Sequence, residues 1–151
     1  MKKGKTFTIQ SIEDTKKFAS KLAKSLKGGE VIALVGELGA GKTYFTKFIA
    51  EALGVDPADV TSPTYIYWRQ YKGKKLKINH FDMYRIESEK EVDSLGLEEA
   101  LTEDNSITVI EWADKVREVI PEDAIWIEIV NLGKGKREIL IKNEKLRNKK
   151  G

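Results

Sequence analysis

Cysteine is absent from this chain of 151 residues, and histidine occurs only once. The lack of thiols excludes disulfides, thiol catalysis and zinc–thiolate sites. No apolar run approaches the roughly 20 residues that a membrane-spanning helix requires. The N-terminus, MKKGKTFTIQ, is basic but lacks the apolar segment of a signal peptide. We therefore expect a soluble, cytoplasmic, single-domain protein without a membrane partner.

The net charge of +3 is too small to indicate nucleic-acid binding, but the charges are unevenly distributed. Residues 82–104 contain nine acids against two basic residues, and residues 133–151 contain eight basic residues against two acids. Each cluster is typical of a solvated surface, although such a dipolar surface would also steer a charged partner. Residues 144–151 are expected to form a frayed basic tail after a domain of residues 1–143.

The order of apolar segments predicts an α/β fold, in which helices flank a mixed sheet. Helices are predicted from the N-cap Ser11 to the glycine pair 28–29, up to Gly54, within 88–104 and before Pro121. VIALV is apolar at every position, as in a strand covered on both faces. Strands are predicted at residues 5–9, 31–35, 65–71, 75–82, 107–111, 124–130 and 137–141.

The segment GELGAGKT matches the P-loop pattern and lies between a predicted buried strand and an amphipathic helix. Its glycines let backbone N–H groups point at phosphate oxygens at the positive end of the helix. The lysine would neutralise the β and γ phosphates, and the threonine would offer its hydroxyl to Mg²⁺. The predicted nucleotide-binding residues are Gly36, Glu37, Leu38, Gly39, Ala40, Gly41, Lys42 and Thr43.

A Mg-nucleotide site also needs a carboxylate near the end of a strand beside the P-loop strand. Two acids follow such strands, Asp82 after INHF and Glu111 after ITVI, and either could serve. The alternative for each is an ordinary solvated acid at a strand end, but a position after a strand in a P-loop protein favours the functional interpretation. The guanine-specificity pattern Asn-Lys-x-Asp is absent, which favours ATP over GTP.

Three further features have two interpretations each. The loop TSPTY, with Thr61, Ser62 and Thr64, could contact the γ-phosphate as a switch loop or form a capped turn. Trp112 could cover the site or belong to the core. His80 is interpreted as a packed or hydrogen-bonded structural residue rather than a base.

Four sequence elements occur in a fixed order: GELGAGKT, TSPTY, HFDMYR at 80–85 and IEWADK at 110–115. Together they resemble the TsaE (YjeE) family, small P-loop ATPases of bacterial tRNA threonylcarbamoyladenosine (t6A) synthesis. The P-loop alone would be unspecific, whereas the ordered set is highly specific and the flanking strands also fit. Tyr44 departs from relatives that often carry a second threonine after the P-loop.

The resemblance implies a P-loop NTPase-like fold and specific residue roles. Thr43 and Glu111 would hold Mg²⁺, Lys42 the phosphates, and Asp82 would orient water or the metal. Thr64 would sense the γ-phosphate and Trp112 would lie near the nucleotide. The adenine would rest between residues 11–15 and residues 134–137.

The resemblance also implies an ATP-hydrolysing accessory subunit that acts on the TsaD and TsaB proteins and reaches tRNA only through that complex. In the family, hydrolysis is thought to reset the complex between turnovers. Two alternatives remain: a small-molecule kinase, and a nucleotide-dependent switch with negligible hydrolysis. The kinase is disfavoured because the five arginines are scattered and no insert is long enough for a lid.

Overall fold

The computed structural model describes residues 4–37, 41–60 and 67–143. A seven-stranded sheet has the order β1-β7-β6-β2-β5-β4-β3. Its four central strands run parallel, whereas β1, β7 and β3 pair antiparallel with their neighbours. The strands are β1 (Lys5–Ile9), β2 (Val31–Val35), β3 (Trp68–Lys72), β4 (Lys77–Asp82), β5 (Ser106–Glu111), β6 (Ile125–Gly133) and β7 (Lys136–Asn143).

The helical elements occupy the segments between these strands. The α-helices are α1 (Ile12–Lys24), α2 (Lys42–Ala52) and α3 (Leu97–Leu101), and the 3₁₀ helices are Pro57–Asp59, Glu89–Ser94 and Ala113–Val119. None of the described helices combines the length and apolar character that a bilayer span requires. The α/β class, the mixed sheet and both predicted hairpins are confirmed.

Local chemistry explains where these helices begin and end. Ser11 caps α1 by accepting a hydrogen bond from the backbone N–H of Asp14 at 3.2 Å, as predicted. The helix ends at Lys24, earlier than the glycine pair, because Ser25 closes its last turn through its own N–H and hydroxyl. The segment before Pro121 is 3₁₀ rather than α, and Val116 has a non-helical backbone within it.

Each face of the sheet is covered by a separate apolar cluster. On one face α1 and α2 pack through residues such as Ala19, Phe45 and Ile49. On the other face α3 and the two later 3₁₀ helices pack through residues such as Leu97 and Val116. The strand 31–35 contributes alternate residues to both clusters, which explains why every position in it is apolar.

Parallel pairing places three chain segments at one edge of the sheet. Leu34 in β2 is opposite Glu111 in β5, and Glu111 is opposite Asp82 in β4. The carboxyl ends of these strands, together with the P-loop that follows β2, therefore meet at the edge where α/β proteins bind ligands.

Candidate functional site

The two ends of the P-loop are held by regular structure. Gly36 follows β2, and Gly41 is the N-cap of α2 with a φ of 107°. This left-handed conformation favours glycine, and α2 begins directly after it. The start of α2 is therefore aimed at the sheet edge that carries Glu111, whereas Leu38, Gly39 and Ala40 lie outside the described residues.

Lys42 folds back onto the P-loop. Its Nζ donates to the carbonyl oxygens of Gly36 at 2.5 Å and Glu37 at 2.9 Å. The same ammonium lies 4.2 Å from the centroid of the Trp112 ring, within cation–π range. Since only 6% of Lys42 is exposed, these groups replace most of the water that would otherwise solvate its charge.

Lys42 is a buried cation whose charge is opposed by burial and favoured by nearby negative charge. Burial lowers the pKa of Lys42 from 10.5, while the negative charges of Glu111, Asp82 and Asp114 act in the opposite direction. Bound phosphate would add negative charge beside the ammonium and further favour its protonated form.

Thr43 and Glu111 bring a hydroxyl and a carboxylate together. The Thr43 hydroxyl donates to Glu111 Oε1 at 3.1 Å, and Glu111 is 2% exposed. Mg²⁺ prefers oxygen ligands and takes few of them from protein when phosphates are present. A hydroxyl and a carboxylate fit this donor set. Among the described residues, no group of three or more acids or histidines is arranged to hold a metal ion.

Asp82 lies next to Glu111 at the end of the neighbouring strand. Its Cα is the register partner of Glu111, and its side chain is 7% exposed. Oδ1 accepts a hydrogen bond from the backbone N–H of Tyr84 at 2.9 Å, which fixes the carboxylate as β4 ends. Both candidate carboxylates thus reach the same edge, as the strand-end positions suggested, and their division of roles stays a prediction.

Trp112 covers Lys42 from the strand end. It adopts φ 59° and ψ 38°, a left-handed conformation that is unusual for a bulky residue. Tyr84 packs against it with ring centroids 5.0 Å apart. Lys115 donates a short hydrogen bond to the Tyr84 carbonyl and lies 5.8 Å from the Trp112 ring. Trp112 therefore packs, partly buried, against the apolar cluster that contains Leu97 and Val116, and it also borders Lys42. Its role as a cover for the site stays a prediction.

Sequence reasoning did not identify Tyr84, Lys115 or the contacts of His80. Tyr84 and Lys115 lie within HFDMYR and IEWADK, so the motifs contained them without showing what they touch. His80 is fully buried, and its Nε2 lies 2.5 Å from Glu111 Oε2. The interpretation of His80 as hydrogen-bonded is confirmed, and its partner is the predicted metal ligand.

The first strand and the last hairpin lie side by side in the region expected to hold the adenine. Ile9, just before α1, pairs with Arg137 of β7. Arg137 Nε lies 3.0 Å from the position that a Cβ at Gly41 would take, so the hairpin adjoins the P-loop. Thr64 and the rest of the TSPTY loop lie outside the described residues, as does the predicted tail at 144–151.

The comparison that decides the family covers most of the chain. The family model described as threonylcarbamoyl adenosine biosynthesis protein TsaE matches residues 9–139. The chain belongs to the TsaE family. The resemblance predicted from the four sequence elements is confirmed.

Individual members of the TsaE family agree with this assignment. A protein named tRNA threonylcarbamoyladenosine biosynthesis protein TsaE, from Bacillus subtilis (strain 168), is 40% identical over 84% of this chain and 78% of its own length. A protein of the same name from Aquifex aeolicus (strain VF5) is 38% identical over 91% of this chain and 95% of its own length. The crystal structure of Bacillus subtilis YdiB matches with a TM-score of 0.78 and 32% identity, over 99% of this chain and 92% of that chain.

Proposed function

We propose that this protein binds and hydrolyses Mg-ATP as an accessory subunit of t6A synthesis in tRNA. One observation carries the chemical part of this proposal. The hydroxyl of Thr43, the residue after the P-loop lysine, lies 3.1 Å from the buried Glu111 carboxylate. The biological part is supported by the names of the TsaE relatives. The proposed setting is the cytoplasm.

The phosphates of the nucleotide would bind at the start of α2. The backbone N–H groups there and the P-loop would hold the phosphates, and Lys42 would exchange its contacts with Gly36 and Glu37 for phosphate oxygens. Arg137 and the start of α1 lie on the side proposed for the adenine. Gly39 and Ala40 would bind phosphate as part of the P-loop, and Thr64 would sense the γ-phosphate, as the motifs imply.

Hydrolysis requires a held metal and an oriented water. When bound, Mg²⁺ neutralises charge that develops on the phosphates. Thr43 and Glu111 would hold it, and Asp82 would orient the attacking water or a water of the metal. Trp112 and Tyr84 would exclude bulk water from the side of the site that they border, which strengthens its electrostatics.

The proposed partners are the TsaD and TsaB proteins, with tRNA reached through them. In the part of the chain that the structure describes, no insert resembles a kinase lid. This supports ATP hydrolysis coupled to a partner over the kinase alternative. A switch with negligible hydrolysis uses the same site and differs only in turnover.

Two substitutions test the site. Lys42→Ala removes the charge that meets the phosphates, so we expect loss of phosphate-dependent nucleotide binding. Glu111→Ala should retain nucleotide but lower the rate of phosphate release by on the order of a hundredfold, because it removes a metal ligand. Nucleotide affinity from fluorescence titration and phosphate release from Mg-ATP measure the two effects.

Lys24→Ala and Glu118→Ala are matched controls, because both residues are exposed, Lys24 at the end of α1 and Glu118 on the 3₁₀ helix before Pro121. Both should behave as wild type. Wild-type turnover in Glu111→Ala would show that Glu111 is the wrong carboxylate, and Asp82→Ala would then be measured in its place.

A further inference from the structure

A buried chain of hydrogen bonds runs from β3 to the P-loop. The Tyr71 hydroxyl lies 3.2 Å from His80 Nδ1, His80 Nε2 lies 2.5 Å from Glu111 Oε2, and Glu111 Oε1 accepts from Thr43. Tyr71 is 6% exposed and His80 is fully buried. These hydrogen bonds therefore connect the interior of the sheet to one oxygen of Glu111, while the other oxygen faces the proposed nucleotide site.

The donor and acceptor roles along these hydrogen bonds are assigned from the chemistry of the partners. An ionised carboxylate only accepts hydrogen bonds, so His80 must donate from Nε2. In a neutral imidazole the other nitrogen is then an acceptor, which matches a hydroxyl donor on Tyr71. The tautomer with its proton on Nε2 fits both of these contacts, and it is assigned from the partners.

The contact depends on the register of β4 against β5. His80 is the register partner of Val109, and Asp82 is the partner of Glu111, so His80 reaches Glu111 diagonally along the same face. His80 therefore approaches Glu111 from inside the sheet, behind the carboxylate, rather than from the side where nucleotide would bind.

We propose that His80, oriented by Tyr71, is a positioning residue that holds Glu111 with Oε1 directed at Thr43 and the metal position. The proposal rests on the proposed Mg-nucleotide function. A carboxylate that is free to rotate about its terminal bond would present its ligand oxygen only part of the time. Hydrogen-bond partners that orient a metal ligand typically affect metal affinity or activity by about 10–100-fold.

The test measures Mg²⁺ dependence of nucleotide binding, separately from turnover. A fluorescent ATP analogue is titrated first in chelator and then at increasing Mg²⁺, with phosphate release as a second readout. His80→Leu removes the hydrogen-bond donor to Glu111 and leaves a side chain of similar volume. We expect it to raise the half-saturating Mg²⁺ concentration about tenfold or more, while metal-free nucleotide binding stays within about twofold of wild type.

His80→Gln is the rescue variant, because its side-chain amide can donate to Glu111 and accept from Tyr71. We expect it to recover most of the Mg²⁺ response. Tyr71→Phe should give a smaller shift than His80→Leu, since it frees the tautomer without removing the donor. Lys72→Ala, exposed beside Tyr71, is the matched control and should match wild type. Thermal unfolding of each variant checks that it is folded.

Three results would overturn the positioning role. They are an unshifted Mg²⁺ response in His80→Leu, equal impairment in His80→Gln and His80→Leu, or a parallel loss of metal-free binding in a folded His80→Leu protein. Failure of the proposed function gives a different result. In that case the wild type itself shows no Mg²⁺ dependence, and Glu111→Gln does not differ from it.

Discussion

Lys42 links the stability of the fold to the proposed binding of phosphate. Its ammonium is buried among carbonyl oxygens and the Trp112 ring, and burial lowers its pKa despite nearby acids. A charged group in this position costs stability in the nucleotide-free protein. The same desolvation would strengthen its attraction to a phosphate.

The lowered pKa of Lys42 predicts a pH dependence of stability. Between its lowered folded pKa and the ordinary value of 10.5, the unfolded chain holds the proton that the folded chain has released. The free energy of unfolding contributed by Lys42 should therefore increase with pH in this window. Thermal unfolding from pH 7 upward, compared with Lys42→Met, checks the sign.

Wild type should gain stability relative to Lys42→Met as the pH rises towards 10.5. A constant difference between the two proteins across this range would show that Lys42 keeps an ordinary pKa. Nucleotide is omitted from both series, because bound phosphate would act in the opposite direction.

At the scale of elements, the junction between the P-loop and α2 depends on Gly41. Its φ of 107° is unfavourable for any side chain, and an added Cβ would lie 3.0 Å from Arg137 Nε on β7. The first turn of α2, which carries Lys42 and Thr43, is therefore closely packed against the last hairpin. A larger residue would have to move one of the two.

Gly41→Ala should destabilise the protein by about 1–3 kcal/mol, combining backbone strain with this close approach. Gly29→Ala is the matched control, because its φ is 90° but nothing lies within 4 Å of its added Cβ. Urea unfolding should show the greater loss for Gly41→Ala, and only that variant should also bind nucleotide more weakly. Equal losses and normal binding would contradict the proposed role of this junction.

The elements were largely predictable from sequence, whereas the contacts between them were not. The Ser11 cap, the strand 31–35 and both hairpins follow from local pattern. Asp82 and Glu111 could be named as strand-end acids, but their adjacency depends on β4 lying beside β5. The contact of His80 with Glu111 also requires the register of that pair, which no local pattern specifies.

At the scale of the whole molecule, part of the acidic segment at residues 82–104 is exposed on one side of the sheet. Glu98 and Glu99 are exposed on α3, which packs against the face opposite α1 and α2. The site proposed for nucleotide lies at the carboxyl end of β4, where this segment begins. Such a surface would attract a basic region of a partner.

Charge reversal tests whether this surface binds the TsaD–TsaB pair. Glu98→Lys with Glu99→Lys should weaken binding at low salt and lower the association rate, because electrostatic steering is lost. Asp59→Lys with Glu122→Lys is the control with the same change in net charge at exposed positions elsewhere. Equal affinities of the two variants would place the docking surface elsewhere on the molecule.

The central claim is that ATP hydrolysis by this chain serves a partner complex. Phosphate release from Mg-ATP, measured for the purified protein alone and with the TsaD–TsaB pair, tests it most directly. We predict slow release alone and clear stimulation by the pair, with Glu111→Ala showing neither. Equal rates with and without the pair, or a phosphorylated metabolite appearing in cell extract, would contradict the claim and favour the kinase alternative.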